Sequence, residues 1–381
     1  MAYCPICNGL KRFMATTLRV LFTGGGSGGP TTPLLAVNEA LGALGPTESR
    51  FLGTTSGPER AMVEEAGIPF YAIPAGKLRR YFSWQNFTDP FRILAGGIIG
   101  LKHLLQFKPH VVVSAGSFVS VPVAYAARAL GIPQVLLQMD VLPGLANRLM
   151  APASSALGYY FPASERAFQR IPERQHVGPV VRNSVYQGDP ERANQRFQLN
   201  PDLPVLLITG GGQGAVGLNR AIQPLLPTWQ EDFQVIHLTG RGSKADLANS
   251  SRYQAHEFVN EGMGDLLARS QLIITRAGLG ILGELAILGK DVILVPLPNS
   301  HQELNASALA EAGAITLLNQ QELAENGSQW WSKFWSTYQP GITGQRMQSY
   351  WPPQGTTVFA SLIRQQGLRA QPSSRAKRGD P

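Results

Sequence analysis

Short apolar runs, each closed by glycine, proline or a polar cluster, alternate along the chain with longer stretches whose apolar residues recur at helical spacing. Leu18 to Thr23 reads as a buried strand, Pro33 to Leu44 as a helix, and Arg50 to Thr54 as a second strand. Val111 to Ser114 and Gln134 to Leu137 read as strands with a helix from Val121 to Leu130 between them, and Val292 to Val295 as a strand of the second half. Strands that are apolar throughout and alternate with helices are the pattern of parallel βαβ units, so the expected class is α/β.

The pattern also repeats. Arg19-Val-Leu-Phe-Thr-Gly-Gly-Gly-Ser-Gly-Gly is echoed by Val205-Leu-Leu-Ile-Thr-Gly-Gly-Gly-Gln-Gly-Ala, each an apolar strand running into a glycine-rich turn and then a helix. Two such starts, nearly half the chain apart, imply two Rossmann-like domains in tandem. A length of 381 residues agrees, since single cores stop growing at roughly 250–300. Apolar periodicity lapses from Gly178 to Asn200, which locates the join. The expected layout is a leader at 1–15, one domain at 16–181 rejoined by a C-terminal helix at 356–368, a second at 182–349, and a disordered basic tail at 369–381. After Leu323 the pattern weakens, and Trp330, Trp331 and Trp335 have no assigned role.

Composition narrows the chemistry. The two cysteines, Cys4 and Cys7, cannot form a disulfide framework, which suits a reducing compartment. They form half a zinc site with no second pair, too few ligands for a tetrahedral centre, and they fall in a leader that Met14 could replace as the start. No metal is expected. The net charge of +8 suits an anionic partner, but the basic residues are dispersed, which disfavours nucleic acid. The run Ile93 to Leu105 is short of the ~20 apolar residues a bilayer span needs.

Glycines at a strand–helix turn let a ligand approach the backbone, and the following helix offers unpaired N–H groups and a positive dipole end, so an anion is the natural guest. Gly24, Gly26 and Gly29 fit the dinucleotide fingerprint, as do Gly210, Gly212 and Ala215 in its alanine form. A dinucleotide site also wants a carboxylate ending the second strand, and Phe51-Leu-Gly-Thr-Thr carries none, so NAD is disfavoured. In the second half, Arg276-Ala-Gly-Leu-Gly-Ile-Leu-Gly-Glu284 is a third glycine-rich turn opening a helix, with a carboxylate able to take both ribose hydroxyls of a nucleotide. The polar loop Pro296-Leu-Pro-Asn-Ser-His301-Gln302-Glu-Leu-Asn305 follows the next strand, where ligands sit in open α/β sheets. Glu284 could instead be a helix-dipole partner, and His301 a helix cap or a surface residue.

These motifs, in order from Leu18 to Leu323, resemble the MurG family of N-acetylglucosaminyltransferases of peptidoglycan synthesis. The carriers are Gly24-Gly-Gly-Ser-Gly-Gly with Pro33, Ser114-Ala-Gly-Ser-Phe-Val-Ser, Gly131-Ile-Pro with Gly144-Leu-Ala-Asn147, Arg182, Gly210-Gly-Gly-Gln-Gly-Ala, Arg276 to Glu284, and His301-Gln302 with Asn305-Ala. The resemblance implies the GT-B architecture, two Rossmann-like domains facing across a cleft, with the acceptor on the N-terminal domain and the donor on the C-terminal one. It implies metal-independent, inverting transfer of GlcNAc from UDP-GlcNAc to undecaprenyl-diphosphate-linked muramoyl-pentapeptide, without a cofactor. By the same resemblance Glu284 meets the ribose, Gln302 the sugar hydroxyls, Arg182 and the Gly210 loop (Gly212, Gln213, Gly214) the diphosphate, and Val259 the uracil, with Leu279 also at the donor. Ser27, Gly28 and Gly29 line the transferred sugar, and Gly26, Ser27, Pro30 and Ser117 the acceptor.

Three positions depart from the family pattern. Pro30 stands where the family has histidine, Gly212 where it has serine, and Gln138-Met139-Asp140 where it has Glu-Gln-Asn. Inverting transfer needs a base for the acceptor hydroxyl, and Asp140 is the candidate; it could equally hydrogen-bond the donor sugar. Lys77-Leu-Arg-Arg80-Tyr-Phe82-Ser-Trp84-Gln-Asn-Phe87, with Arg79 among its cations, mixes bulky apolar and basic side chains and suits a peripheral site on an anionic membrane, the cytoplasmic face being the expected place. The rival readings are another UDP-sugar enzyme of the same architecture, such as a lipid glycosyltransferase or a UDP-GlcNAc 2-epimerase, and a non-catalytic nucleotide-sugar binder.

Overall fold

A computed structural model describes residues 17–26, 28–75, 85–211, 214–243, 249–259 and 261–370, with 85–91 as backbone only. The leader with Cys4, Cys7 and Met14, and the tail beyond Ala370, lie outside the described residues. The chain divides into two compact units, one from the described parts of 1–182 and 354–381, the other from 183–353.

In the first unit seven described strands, β1 (Leu18–Thr23), β2 (Thr47–Gly53), β3 (Phe70–Ala72), β4 (Val111–Ser114), β5 (Gln134–Gln138), β6 (Ala156–Tyr159) and β7 (Glu173–His176), form one sheet in the order β3-β2-β1-β4-β5-β6-β7. All pair in parallel, with Val20 opposite both Ser49 and Val111. The central strands are apolar runs because helices cover both faces, and Leu18, Val20, Leu21, Phe22 and Val111 to Val113 are fully buried. The helix Gly355–Arg369 closes this unit. It packs on the helix Gly28–Leu44 and on β1 and β4, where Gly367 lets it approach Leu18 and Val111. The Thr356 hydroxyl anchors its start to the N–H and C=O of Val181 at 2.9 and 3.0 Å.

The second unit repeats the plan with six described strands, β8 (Val205–Thr209), β9 (Gln234–Leu238), β10 (Tyr253–His256), β11 (Leu272–Thr275), β12 (Asp291–Leu294) and β13 (Thr316–Leu317), in the order β10-β9-β8-β11-β12-β13, again all parallel. Both sheets thus carry the doubly wound 3-2-1-4-5-6 order, with a glycine turn at the carboxyl end of the strand where the order reverses.

Several expected boundaries move. The first helix starts at Gly28 rather than Pro33: Pro30, its third residue, falls among the first four N–H groups that lack intrahelical partners, whereas Pro33 lies inside the helix and forgoes one backbone hydrogen bond. The region after Leu323 is ordered: helices span Gln320–Thr337 and Ile342–Tyr350. Trp331 inserts into the second unit's core against Trp229 and Phe233, with Trp335 stacked beside it and Trp330 stacked on Phe334. Asp291 binds this region to the sheet, accepting from the Tyr338 and Thr343 hydroxyls and the N–H groups of Gly341 and Gly344. Among the described residues no helix is long and apolar enough to cross a membrane.

Candidate active site

In the first unit the chain leaves β1 through Gly24, Gly25 and Gly26. Gly25 and Gly26 have φ of +148° and +84°, which a side chain would strain. The peptide joining them is held at both ends. Its carbonyl, on Gly25, accepts from the Ser117 hydroxyl at 3.0 Å, and its N–H, on Gly26, donates to the Glu59 carboxylate at 3.1 Å. Glu59 is fully buried, and its other oxygen accepts from the N–H of Thr54 at 2.8 Å and from the Thr54 hydroxyl. Ser117 therefore reaches the loop, but its proton is committed to Gly25.

Gly28, Gly29 and Pro30 form the first turn of the helix behind the loop. Gly116, at φ +96°, lies so close to Asn147 that a side chain there would clash. The Asn147 amide donates to the Leu137 carbonyl and to Gln138 Oε1, and Gln138 Nε2 donates to the backbone carbonyl of Asp140 at 2.7 Å. Asp140 is thus carried by a buried amide pair at the end of β5, on the same edge of the sheet as the glycine loop.

In the second unit Gly211 and Gly214, at φ +88° and +75°, make the turn after β8, closed by the Gly214 N–H to the Gly211 carbonyl at 2.9 Å. Gly214 passes so close to Thr239 and Gly240 that a Cβ would overlap their backbone. Asn219, in the helix Val216–Ile222 behind the turn, donates to the Thr239 carbonyl at 2.9 Å. Its Oδ1 lies 3.2 Å from His237 Nε2, whose Nδ1 lies 3.0 Å from the Tyr253 hydroxyl. An amide oxygen only accepts, so Nε2 carries the proton and Nδ1 accepts from tyrosine. Burial favours this neutral ring, lowering the His237 pKa from 6.5 to about 4.

Val259, beyond β10, is half-buried, next to an exposed Phe258 over whose ring the Arg241 guanidinium sits at 4.4 Å. Leu279 opens the helix Leu279–Ile287, and Glu284 follows in its second turn, 7% exposed. Gln302 lies in the first turn of the helix His301–Glu311, where Oε1 accepts from the Leu297 N–H at 3.0 Å and leaves the NH2 group outside that bond. The cap of that helix is Ser300, whose side chain accepts from Gln302 N–H; His301 is exposed and is not the cap. Arg276 donates to the carbonyls of Val295 and Pro296 and to Gln320, tying the third glycine turn to the Pro296 loop. Arg182, exposed, ends the first stretch of the first unit.

Ser27, Lys77, Arg79, Arg80, Phe82, Trp84, Gly212 and Gln213 lie outside the described residues, as does the Phe87 side chain. Among the described residues no group of three or more His, Cys, Asp or Glu side chains could hold a metal ion. Glu59, Asn219 and His237 carry no motif that marks them in the sequence. Glu59 stands five residues beyond Thr54, on the next helix, and reaches back to the end of β2, where a dinucleotide site would carry its carboxylate. For Asn219 and His237 the local signal is weak, since Arg220 and Gln234 are further polar residues in the same two elements.

Residues 20–157 match the glycosyltransferase family 28 N-terminal domain, and residues 205–327 match the family 28 C-terminal domain. The UDP-N-acetylglucosamine–N-acetylmuramyl-(pentapeptide) pyrophosphoryl-undecaprenol N-acetylglucosamine transferase of Clostridium perfringens is 36% identical over 310 residues, 80% of this chain and 86% of that protein. The crystal structure of MurG from Acinetobacter baumannii superposes with a TM-score of 0.69 at 24% identity, covering 92% of this chain and all of that one. A UDP-GlcNAc 2-epimerase from Neisseria meningitidis superposes at 0.62 with 16% identity, covering 93% of this chain and all of that one, so the fold alone does not separate transfer from epimerisation. Identity at this level across both units does separate them: the chain has the two-domain GT-B fold and belongs to the MurG family of glycosyltransferase family 28.

Proposed function

We infer that this chain transfers N-acetylglucosamine from UDP-GlcNAc to a muramoyl-pentapeptide carried on undecaprenyl diphosphate. The observation that carries this reading is 36% identity, through both units, to a transferase of that name. The donor lies on the second unit, with Glu284 at the ribose, Gln302 at the sugar hydroxyls, and Val259 and Leu279 around the base. The turn of Gly212, Gln213 and Gly214 takes the diphosphate, and Arg182, at the point in the chain where the first unit gives way to the second, is its proposed cationic partner. The acceptor lies on the first unit, beside Gly26, Ser27, Pro30 and Ser117, and Gly28 and Gly29 border the transferred sugar.

In the reaction the acceptor hydroxyl attacks the anomeric carbon from the face opposite UDP, inverting it. The carbon–oxygen bond to UDP breaks, and the diphosphate takes up the electron pair. Backbone N–H groups and Arg182 stabilise the charge that develops there. The acceptor's proton goes to Asp140, whose backbone the Gln138–Asn147 amide pair steadies.

A lipid-borne acceptor calls for a membrane-facing surface, and the helix Gln85–Phe107 supports one. Leu94, Ile98 and Leu105, 64%, 62% and 53% exposed, share a helix face with the exposed Lys102. This face docks peripherally on the cytoplasmic leaflet, together with the basic stretch Lys77 to Phe87. Vesicles rich in phosphatidylglycerol should retain the protein at low salt, and Leu94→Glu with Ile98→Glu should release it; equal retention would remove this element.

The function is tested by screening UDP-sugars for UDP release in the presence of the lipid-linked acceptor. UDP-GlcNAc should be turned over best and only with acceptor. Conversion of UDP-GlcNAc to its 2-epimer without acceptor would replace the transferase reading.

A further inference from the structure

We propose that Glu59 and Ser117 are positioning residues that lock one peptide plane, Gly25–Gly26, in the orientation the acceptor's side of the reaction requires. This rests on the transferase reading above. A glycine–glycine peptide has little steric preference between the two ways its plane can face, so the loop alone does not choose. Hydrogen bonds choose it: Ser117 donates to the carbonyl from one side and the Glu59 carboxylate accepts the N–H from the other. Flipping the plane would turn the carbonyl oxygen against the carboxylate and leave the hydroxyl facing an N–H, so both contacts become unfavourable together.

The surroundings are shaped for Glu59. It accepts from Thr54 through both backbone and hydroxyl, it is fully buried, and a Cβ at either Gly25 or Gly57 would collide with its carboxylate oxygens. The turn from Thr54 to Gly57 therefore wraps around this one side chain, and Gly25 is open to it. The bond also means that the Gly26 N–H is already taken by an internal anion. The loop is pre-organised by the protein rather than by a bound phosphate, and Gly26 presents its exposed Cα face to the acceptor.

The test compares Glu59→Gln, Ser117→Ala and the double variant. Glutamine keeps the shape and can still accept from Thr54, but it turns an NH2 toward the Gly26 N–H. Each single variant should lower kcat/KM for the lipid acceptor by about ten- to a hundredfold, the scale of a misplaced reacting group. UDP affinity, measured by calorimetry, should stay at the wild-type value, and the Gly26 amide should exchange faster. Because both variants free the same plane, the double variant should be little worse than the worse single one. Wild-type acceptor kinetics in the single variants, an unchanged Gly26 exchange rate, or losses that multiply in the double variant would overturn the proposal. If Glu59→Gln does not fold, Ser117→Ala, which leaves the buried carboxylate its three donors, decides by the same measurements. Should the wild type release no UDP with acceptor, the transferase reading fails, and the Gly26 exchange rates still decide whether the lock exists.

Discussion

Acidification should weaken the second unit through His237, and the size of the effect follows from its surroundings. The ring is 3% exposed, neutral, and hydrogen-bonded through both nitrogens, to Asn219 and Tyr253. Its pKa falls from 6.5 to about 4, so between those values the unfolded chain binds a proton that the folded chain does not. Stability is then complete above pH 6.5 and is lost as pH falls toward 4. At 1.36 kcal/mol per pKa unit, lowering the pH from 7 to 5 removes about 2 kcal/mol through this residue alone. His237→Gln keeps an N–H for Asn219 but does not titrate, so it isolates the contribution from every other group. At pH 7 the variant should be about 1–2 kcal/mol less stable than wild type, from its imperfect hydrogen bonds. At pH 5 the two should be nearly equal. Urea unfolding followed by tryptophan fluorescence suits the measurement, since of six tryptophans Trp229, Trp330, Trp331, Trp335 and Trp351 lie in the second unit. Parallel stability-against-pH curves for wild type and variant would show that His237 does not set this pH dependence.

Three further outcomes follow from the same structure. Asp140→Asn should lower kcat by about a hundredfold or more with little change in the KM for UDP-GlcNAc, the range for losing a general base, and near-normal turnover in steady-state assays would exclude Asp140 from that role. Glu284→Gln should weaken UDP binding by about tenfold in calorimetry while leaving urea stability close to wild type, because a charge-assisted pair of hydrogen bonds to the ribose becomes a neutral one; unchanged affinity would remove Glu284 from the donor site. Asp291→Ala should cost about 3–5 kcal/mol in the tryptophan-monitored transition, since it strands four donors that a buried carboxylate now satisfies, and a cost under about 1 kcal/mol would contradict that account.

The parts legible in the sequence are those written locally. β1 and β4 appear as apolar runs with the bounds the pattern predicts, because a strand covered on both faces is apolar at most positions, with Arg19 near the start of β1 and Thr23 and Ser114 at the strand ends as the exceptions. The glycine turns are visible because φ near +80° at Gly26, Gly211 and Gly214 leaves few alternatives to glycine. What stayed hidden is held together across distance. Glu59 meets Gly26 only because a turn folds it back, and no spacing rule connects 26, 59 and 117. The His237 network joins a helix and two strands through single side chains. The helix from Gln320 did carry a local signal, Asn319-Gln-Gln-Glu322, in which Asn319 caps by accepting from Gln321 N–H. Non-helical backbone at Asn326 interrupts the periodicity that would have made the rest of that helix visible.

Each turnover moves one molecule of GlcNAc from UDP to a lipid-linked muramoyl acceptor. The most direct test incubates the purified chain with UDP-GlcNAc and undecaprenyl-diphosphate-muramoyl-pentapeptide, counting UDP released and weighing the lipid product by mass spectrometry. One added N-acetylhexosamine should appear on the lipid for each UDP formed, and no UDP should form without the lipid. Tight binding of UDP-GlcNAc with an unaltered lipid and no UDP would contradict it.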